Sequence, residues 1–281
     1  PIVAEEAAEL IVFQRTPNFS VPAGNEPLTA EREAEIKANY DERRDLSWRS
    51  GGGSPHMAHP KLTMELSDDE RRAEFEKRWQ LGGVLFSKTF TDQMTDEVAN
   101  AEAKKFYDEK VRAVIDDPAI ADKLIPSDHP IGAKRICTDT NYFQTFNRPN
   151  VELVSVRHTP IESIDATGIS TSDAHYDVDA IVLATGFDAM TGTLLRLDLR
   201  GRGGRRIQDH WQAGPLNYLG LCLSGFPNLF TLTGPGATAA FTNVIVAIEH
   251  QVQWIADTLT DLRARGVRTL EATPEAEADW V

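Results

Sequence analysis

The sequence lacks the features that would mark several classes of protein. It has only two cysteines, Cys137 and Cys222, in no metal-binding or redox spacing, so we expect a reducing, cytoplasmic environment. No apolar run approaches the roughly 18 residues of a membrane span, and no signal peptide is visible. The net charge is −14, which argues against nucleic acid as the main partner, because phosphate binding needs a basic face. The histidines are scattered, and we expect no metal site.

What remains is typical of a globular protein. Hydrophobic residues make up 41% and charged residues 26% of the 281 residues, enough for a sizeable core in one large domain or two ordinary ones. The chain has no initiator methionine and opens in mid-pattern at PIVAEEAAELIVFQR. We therefore expect both of its ends to lie inside a longer protein.

The first half of the chain combines part of a βαβ unit with a helical segment. Residues 1–10 have helical spacing, and LIVF at Leu10–Phe13 indicates a buried parallel strand. Between residues 28 and 130, long stretches are charged, amphipathic and almost free of Pro and Gly. They predict a helical insertion, with helix starts at Ser67 and Thr95.

The second half of the chain returns to α/β character. NVELVSV (150–156), AIVLATG (180–186) and NLFTLTG (228–234) are predicted strands. Apolar residues then keep helical spacing from 244 to 262, and Gly266 is suited to end that helix. Strands that alternate with helices predict an α/β fold with a parallel sheet.

Arg15 and Thr16 follow the first predicted strand directly, in the stretch FQRTPNF. In an open α/β sheet, ligands bind beyond the carboxyl ends of the strands. An arginine after the second strand of a dinucleotide-binding unit suits the extra phosphate of NADP, where an acid would favour NAD. From these residues alone, a solvated arginine at a strand end fits equally well.

Lys134 and Arg135 stand side by side in GAKRICTDTNYF. Adjacent side chains on an extended segment point in opposite directions, so one cation could serve a cofactor and the other a reaction. Spacing alone favours a basic pair on the surface.

GPGATAAFTNVIV joins a predicted strand to the long helix. Gly234 and Gly236 permit close backbone approach, and Thr242 or Asn243 is suited to cap the helix. The free N–H groups of its first turn could stabilise negative charge on a reduced flavin. A purely structural strand–turn–helix is the alternative.

Six stretches taken together resemble one family, the Baeyer–Villiger monooxygenases of the phenylacetone and cyclohexanone monooxygenase type. The stretches are FQRTPNFSVPAGN, PIGAKR, RPNVELV, ATGFDAMTG, GPLNYLGLCLSGFPNLF and GPGATAAFTNV. The resemblance covers essentially the whole chain. It implies a flavoprotein with two dinucleotide-binding domains that holds FAD, uses NADPH and O₂, and inserts oxygen next to a ketone carbonyl.

The resemblance also implies cofactor contacts. Arg15 and Thr16 would hold the 2′-phosphate of NADP, with Lys134 assisting. Asn243 and Val244 would touch the flavin.

The same resemblance implies residues for catalysis and for the substrate. Arg135 would be the active-site arginine, placed against flavin and nicotinamide, where a fixed guanidinium stabilises anionic oxygen. Ala239, Ala240 and Phe241 match a segment that lines the substrate pocket.

The domain organisation follows from the same resemblance. Residues 1–27 and 131–186 would belong to a Rossmann-like NADP-binding domain, with 28–130 as its helical insertion. Residues 187–281 would be the C-terminal part of the FAD-binding domain. Ala184–Gly186 would be the hinge where the chain crosses between the two.

Two departures from the family leave other functions open. The chain has no Gly-x-Gly-x-x-Gly loop, of which the family has two, and no FxGxxxHxxxWP signature. A related flavin monooxygenase that oxidises nitrogen or sulfur is one alternative. A catalytically inert fragment, at most a weak NADP binder, is another.

Overall fold

The computed structural model describes residues 1–237 and 242–280. The chain forms two compact units, of which the first comprises Pro1–Leu28 and Met57–Leu183 and the second Thr29–His56 and Ala184–Val281. The segment predicted as a helical insertion is thus shared between the units. The predicted boundaries separate an NADP-binding from an FAD-binding domain, whereas these two units are defined by compactness alone. The predicted domain boundaries therefore stay a prediction.

The helices of the described residues span most of the insertion and the C-terminal third. In chain order they are Ile2–Glu6 (α1), Ala30–Ala38 (α2), Tyr40–Arg49 (α3), Asp68–Leu81 (α4), Glu97–Arg112 (α5), Pro118–Leu124 (α6), Tyr142–Thr145 (α7), Gly192–Leu195 (α8), Ile207–His210 (α9), Val244–Ala264 (α10) and Pro274–Trp280 (α11).

The strands of the described residues all lie in the first unit. They are Leu10–Gln14 (β1), Ser20–Pro22 (β2), Cys137–Asp139 (β3), Val151–Ser155 (β4), Ile161–Ile164 (β5), Gly168–Thr171 (β6) and His175–Asp177 (β7). β1 pairs in parallel with β4, β2 pairs in parallel with β3, and β5, β6 and β7 form an antiparallel sheet. The predicted strands LIVF and NVELVSV are confirmed, LIVF as a parallel strand, and the structure shows that they are neighbours. LIVF was expected to be buried, but all of its residues are only half-buried.

The predicted helices of the insertion are confirmed, and their starts follow capping chemistry. Ser67 caps α4 in a capping box, in which its backbone N–H donates to Glu70 at 3.0 Å. α5 begins one residue later than expected from Thr95, because Asp96 is the residue whose side chain accepts from Ala99 N. α1 is only half the predicted helix, since it ends at Glu6.

The core of the first unit is built where these helices meet the parallel strands. Its buried aromatic residues include Phe19, Phe75, Phe86, Phe106 and Tyr107. Phe19 comes from the loop before β2, and Tyr107 from α5, and their rings meet edge to face at 4.9 Å. The insertion helices of this unit therefore pack directly on the segment that follows β1.

In the second unit, the long predicted helix is confirmed with both of its ends. Asn243 caps α10 by accepting a hydrogen bond from Ile245 N at 3.1 Å. Gly266 has a φ of +67°, a left-handed conformation that suits glycine after a helix.

Two predicted strands are wrong. NLFTLTG (228–234) has only an isolated bridge, at Phe230 with Cys222, because Asn228 and Thr233 adopt positive φ and interrupt the extended run.

AIVLATG (180–186) is not a strand either. Within the described part of the chain, its residues have no hydrogen-bond partner, and all of them are exposed. A strand requires a neighbour for its backbone groups, and none is present.

Candidate functional site

Arg15 and Thr16 lie at the carboxyl end of β1, as predicted. Gln14, the last residue of β1, is in register with Ser155 of β4, so both strands end at the same edge. Arg15 is exposed and Thr16 is half-buried. This is the edge at which ligands bind in parallel α/β sheets.

The structure brings Arg135 to the same loop, although 117 residues separate it from Asn18. Asn18 Nδ2 donates to the backbone oxygen of Arg135 at 3.0 Å. Cys137 N donates to Phe19 O at 2.9 Å. The loop 15–19 and the segment around Lys134 are therefore held side by side.

Asn18 is a residue that the sequence reasoning missed. The sequence feature that could have identified Asn18 is its position three residues after Arg15. An asparagine side chain there can form hydrogen bonds to backbone groups of a loop. Asn18 supplies a side-chain contact that joins the two predicted cation segments.

The loop is fixed from beneath by buried hydrogen bonds. Ser20 N donates to Tyr107 Oη at 3.2 Å, and Ser20 Oγ donates to Asp139 Oδ2 at 2.7 Å. Phe19 and Tyr107 are fully buried. A loop anchored in this way presents its polar side chains from a rigid base.

One carboxylate, Asp128, lies among the cations of this edge. It accepts hydrogen bonds from His129 Nδ1 at 2.6 Å and from Arg157 Nη2 at 3.1 Å. The bonds from His129 and Arg157, with the nearby charge of Lys134, lower the pKa of Asp128 to about 2. Asp128 is thus ionised at neutral pH and holds Arg157, which follows β4 as Arg15 follows β1.

In the second unit, the predicted glycine turn requires glycine. A Cβ on Gly234 would lie 2.5 Å from Thr231 Oγ1 and 2.7 Å from the backbone oxygen of Gly220. Gly236 has a φ of +80°. Asn217 is fully buried beside this turn, and its Oδ1 has no hydrogen-bond partner among the described residues. The backbone of this turn is thus tightly packed, and the acceptor Asn217 Oδ1 next to it is unsatisfied among the described residues.

The start of α10 is held by a segment that we predicted only as part of the helical insertion. Asn243 N donates to Gly52 O at 3.1 Å, and a Cβ on Gly53 would lie 2.7 Å from Asn243 Cβ. Asn243 and Val244 themselves are exposed. The repeated glycines at 51–53 were the signal for this close approach.

The predicted substrate-pocket residues Ala239, Ala240 and Phe241 lie outside the described residues. A cavity of about 550 Å³ occurs in the first unit, lined among others by Met94, Asn100, Lys104, His129 and Pro130. It stops short of Lys134 and includes none of the predicted site residues.

In residues 1–237 and 242–280, no group of three or more His, Cys, Asp or Glu side chains is placed to hold a metal ion. Over the same residues, no helix is both long and apolar enough to cross a membrane.

Comparison with solved structures defines the class of protein. The chain superimposes over its whole length on an oxidised steroid monooxygenase bound to NADP, with a TM-score of 0.94 and 59% identity. It superimposes equally on OTEMO in complex with FAD and NADP, with a TM-score of 0.95 and 40% identity. It covers 54% and 53% of those chains. The fold is that of the flavoproteins with two dinucleotide-binding domains.

Sequence comparison gives the family. The chain is 41% identical over its full length to 2-oxo-Δ3-4,5,5-trimethylcyclopentenylacetyl-CoA monooxygenase of Pseudomonas putida. It is 40% identical over 99% of its length to cyclohexanone 1,2-monooxygenase of Acinetobacter sp.. A phenazine N-monooxygenase of Lysobacter antibioticus is 38% identical over 98% of the chain. The chain belongs to the Baeyer–Villiger flavin monooxygenase family.

The match covers only part of each relative. The chain spans 52%, 51% and 50% of these three proteins, about half of their length. No protein-family model matches the chain.

Proposed function

We propose that this chain serves an FAD- and NADPH-dependent Baeyer–Villiger monooxygenase, which inserts one oxygen atom of O₂ next to a ketone carbonyl to give an ester or lactone. The observation that carries the proposal is the match of 99% of this chain to cyclohexanone 1,2-monooxygenase at 40% identity. The FAD- and NADP-bound OTEMO structure, on which the whole chain superimposes, supports the choice of cofactors.

Arg15, Thr16 and Lys134 would bind the 2′-phosphate of NADP. Arg15 is exposed at the carboxyl edge of β1, and Asn18 ties its loop to the segment of Lys134. A dianionic phosphate suits this arrangement, because two cations and a hydroxyl can each contribute a charge-assisted contact. The loop fits the group, since hydrogen bonds at Phe19 and Ser20 hold its backbone in place before the cofactor arrives.

Asn243 and Val244 would lie against FAD. The Gly234 turn is packed against Thr231 and the Gly220 backbone of the same chain. The buried Asn217 Oδ1 beside it has no hydrogen-bond partner among the described residues and could accept a bond from the cofactor. The first turn of α10 has the positive end of a helix dipole, which favours negative charge on the bound group. Bound FAD, reduced by NADPH, would supply the activation of O₂.

Arg135 would stabilise the negative charge that develops on oxygen during the reaction. Its backbone oxygen is fixed by Asn18 at 3.0 Å, so its side chain starts from a defined position. Only a fixed cation contributes without reorganisation when charge appears. Lys134, the neighbouring residue, would be left for the phosphate.

Oxidation of nitrogen is the second candidate, and one observation favours it: the 38% identity to a phenazine N-monooxygenase. The two candidates share both cofactors and differ in the atom that receives oxygen. The cytoplasmic location also belongs to this proposal. It is supported by the two cysteines, which are both free.

Product analysis tests the function. The test protein is the completed chain, in which the 281 residues are joined to the part of the steroid monooxygenase outside the match. With NADPH and O₂, we expect cyclohexanone to give caprolactone, detected by gas chromatography. N-oxide formation from phenazine without any lactone would favour the second candidate. If neither product forms, both candidates are refuted. The 281-residue chain alone is expected to be colourless, without bound oxidised flavin.

A further inference from the structure

Trp280, the last residue of α11, lies against the glycine turn of the second unit at residues 234–236. Its indole Nε1 donates a hydrogen bond to the backbone oxygen of Gly236 at 3.3 Å. A Cβ built on Gly236 would lie 3.5 Å from Trp280 Nε1 and 3.6 Å from Trp280 Cδ1, which is ordinary van der Waals contact. The edge of the indole therefore touches Gly236 in addition to bonding to it.

The rest of this turn is held by its own backbone. Gly234 N donates to Gly220 O at 3.1 Å, and Ala237 N donates to Gly234 O at 3.0 Å. Gly236 has a φ of +80°, a conformation that residues with a side chain rarely adopt. The side chain nearest to a Cβ built on Gly236 is that of Trp280. Trp280 therefore adds a side-chain hydrogen bond to the backbone bonds that shape the turn.

Helix α11, which carries Trp280, is anchored in the second unit by Glu277. Glu277 is buried, and its Oε1 accepts a hydrogen bond from Ser224 N at 3.1 Å. The buried His210 Nε2 lies 3.1 Å from the same oxygen. A carboxylate is costly to bury without such partners, so these contacts favour a single position of the helix. Trp280 follows Glu277 by three residues, on the same side of α11, and its ring thus starts from a fixed base.

Trp280 also contacts the segment of Asn217, whose side chain is a candidate contact for FAD. Asn217 Nδ2 donates to Thr231 Oγ1 at 3.1 Å, while the buried Oδ1 has no partner among the described residues. Tyr218, the next residue, meets the Trp280 ring edge to face, with 6.2 Å between ring centroids. Trp280 therefore joins the glycine turn to the segment that presents the Asn217 acceptor.

We propose that Trp280 is a positioning residue for FAD, which holds the turn at Gly236 and the Asn217 segment in the shape that receives the cofactor. The indole acts through these two segments and needs no contact with FAD. Groups that are already in place bind a ligand without the cost of ordering them. The inference rests on the proposed binding of FAD beside this turn. The two can fail separately, because the turn itself can be measured in the chain without cofactor.

The first measurement is amide exchange in the 281-residue chain, with Trp280→Phe compared to the wild type. Phenylalanine keeps an aromatic ring and removes the N–H donor. The amide of Ala237 closes the turn by its bond to Gly234 O, so its exchange reports how often the turn opens. We expect exchange at Ala237 to become roughly 2- to 10-fold faster, as for the loss of one net hydrogen bond.

The second measurement is FAD binding to the completed chain, followed by flavin fluorescence. The dissociation constant of FAD should rise in Trp280→Phe by the same factor of roughly 2 to 10. The visible circular dichroism of the bound flavin should change, and KM for NADPH should not, because Arg15 and Lys134 belong to the first unit. A residue that only stabilised the fold would lower the free energy of unfolding and leave the affinity of the folded protein for FAD unchanged.

Trp254→Phe is the matched control. Trp254 lies on α10 of the same unit and is 37% exposed, against 45% for Trp280. Within the described part of the chain, its indole N–H has no hydrogen-bond partner, so the same substitution removes no bond. We expect exchange at Ala237 and the dissociation constant of FAD to match the wild type.

Two results would overturn the proposal while FAD still binds. The first is wild-type exchange at Ala237 in Trp280→Phe, since the turn would then not depend on the indole. The second is faster exchange with an unchanged dissociation constant and unchanged flavin dichroism, since the turn would then be held without serving the cofactor. A completed wild-type chain that binds no FAD is a separate outcome, which refutes the proposed function and with it any role of Trp280 toward FAD.

Discussion

Replacing Tyr107 with phenylalanine removes one hydroxyl that joins a helix of the insertion to the candidate cofactor loop. Tyr107 Oη accepts from Ser20 N, and both residues are buried. Without the hydroxyl, the Ser20 N–H is left buried and unpaired, which costs about 1–3 kcal/mol of unfolding free energy. The ring contacts with Phe19 and Trp79 remain, so no large cavity adds to the loss.

The assay is urea unfolding followed by circular dichroism, together with amide exchange at Ser20. The control is Tyr142→Phe. Tyr142 is half-buried against Phe143 and Phe146, and its hydroxyl has no hydrogen-bond partner in the described part of the chain. We expect a change within about 0.5 kcal/mol for the control. If Tyr107→Phe is equally silent and the Ser20 amide exchanges at the wild-type rate, the hydroxyl does not anchor the loop.

The same substitution changes how the free energy of unfolding depends on pH in alkaline solution. Burial raises the pKa of the Tyr107 phenol well above its ordinary value. Below about pH 10 the phenol is protonated in both states, and the wild type keeps its full stability. As the pH rises further toward the folded-state pKa, only the unfolded phenol ionises, and stability is lost. Tyr107→Phe should lack this component of the loss.

Three further predictions concern the charged groups of the site. In the completed chain, Arg15→Ala should raise KM for NADPH by roughly 10- to 100-fold and leave KM for NADH nearly unchanged. Arg148→Ala, an exposed cation just before β4, is the control, and equal losses with both cofactors would contradict the role of Arg15. Arg135→Ala should lower the rate of ester formation by about 10²–10³ without weakening NADPH binding. Arg135→Lys should not restore that rate. A near-normal rate in Arg135→Ala would show that Arg135 is only a surface cation. Asp128 has a lowered pKa of about 2, so its bonds to His129 and Arg157 stabilise the fold fully above about pH 4 and are lost as the pH falls toward 2. Asp128→Asn should remove that acid dependence from unfolding curves, and an unchanged curve would show that Asp128 is not its source.

The helices of this protein could be predicted because their signals are local. Ser67 with Glu70, Asn243 before an apolar stripe and Gly266 after it lie within a few residues of the helix ends that they define. Such caps act through the first or last turn alone and need no distant partner. The error at Thr95 was a single residue, because Asp96 offers the same chemistry.

The strands could be predicted only where the chain itself contains their neighbours. LIVF and NVELVSV are strands because they pair with one another across 136 residues of intervening sequence. AIVLATG is equally apolar, but it has no neighbour among the described residues and remains unpaired. NLFTLTG differs again, since the backbone turns at Asn228 and Thr233 prevent pairing. An apolar run shows that a segment suits burial, and it does not show what will cover it.

The sequence by itself determined the family, the α/β class and the identity of the candidate site residues, because short motifs carry the residue types that this chemistry needs. Only the tertiary structure decided that Asn18 holds the Arg135 backbone beside the Arg15 loop, and that the glycines before Ser54 support the start of α10. It also decided that Asp128 lies among the cations. The first two of these contacts join residues more than a hundred positions apart. Such contacts form through packing and strand register, which no local pattern in the sequence records.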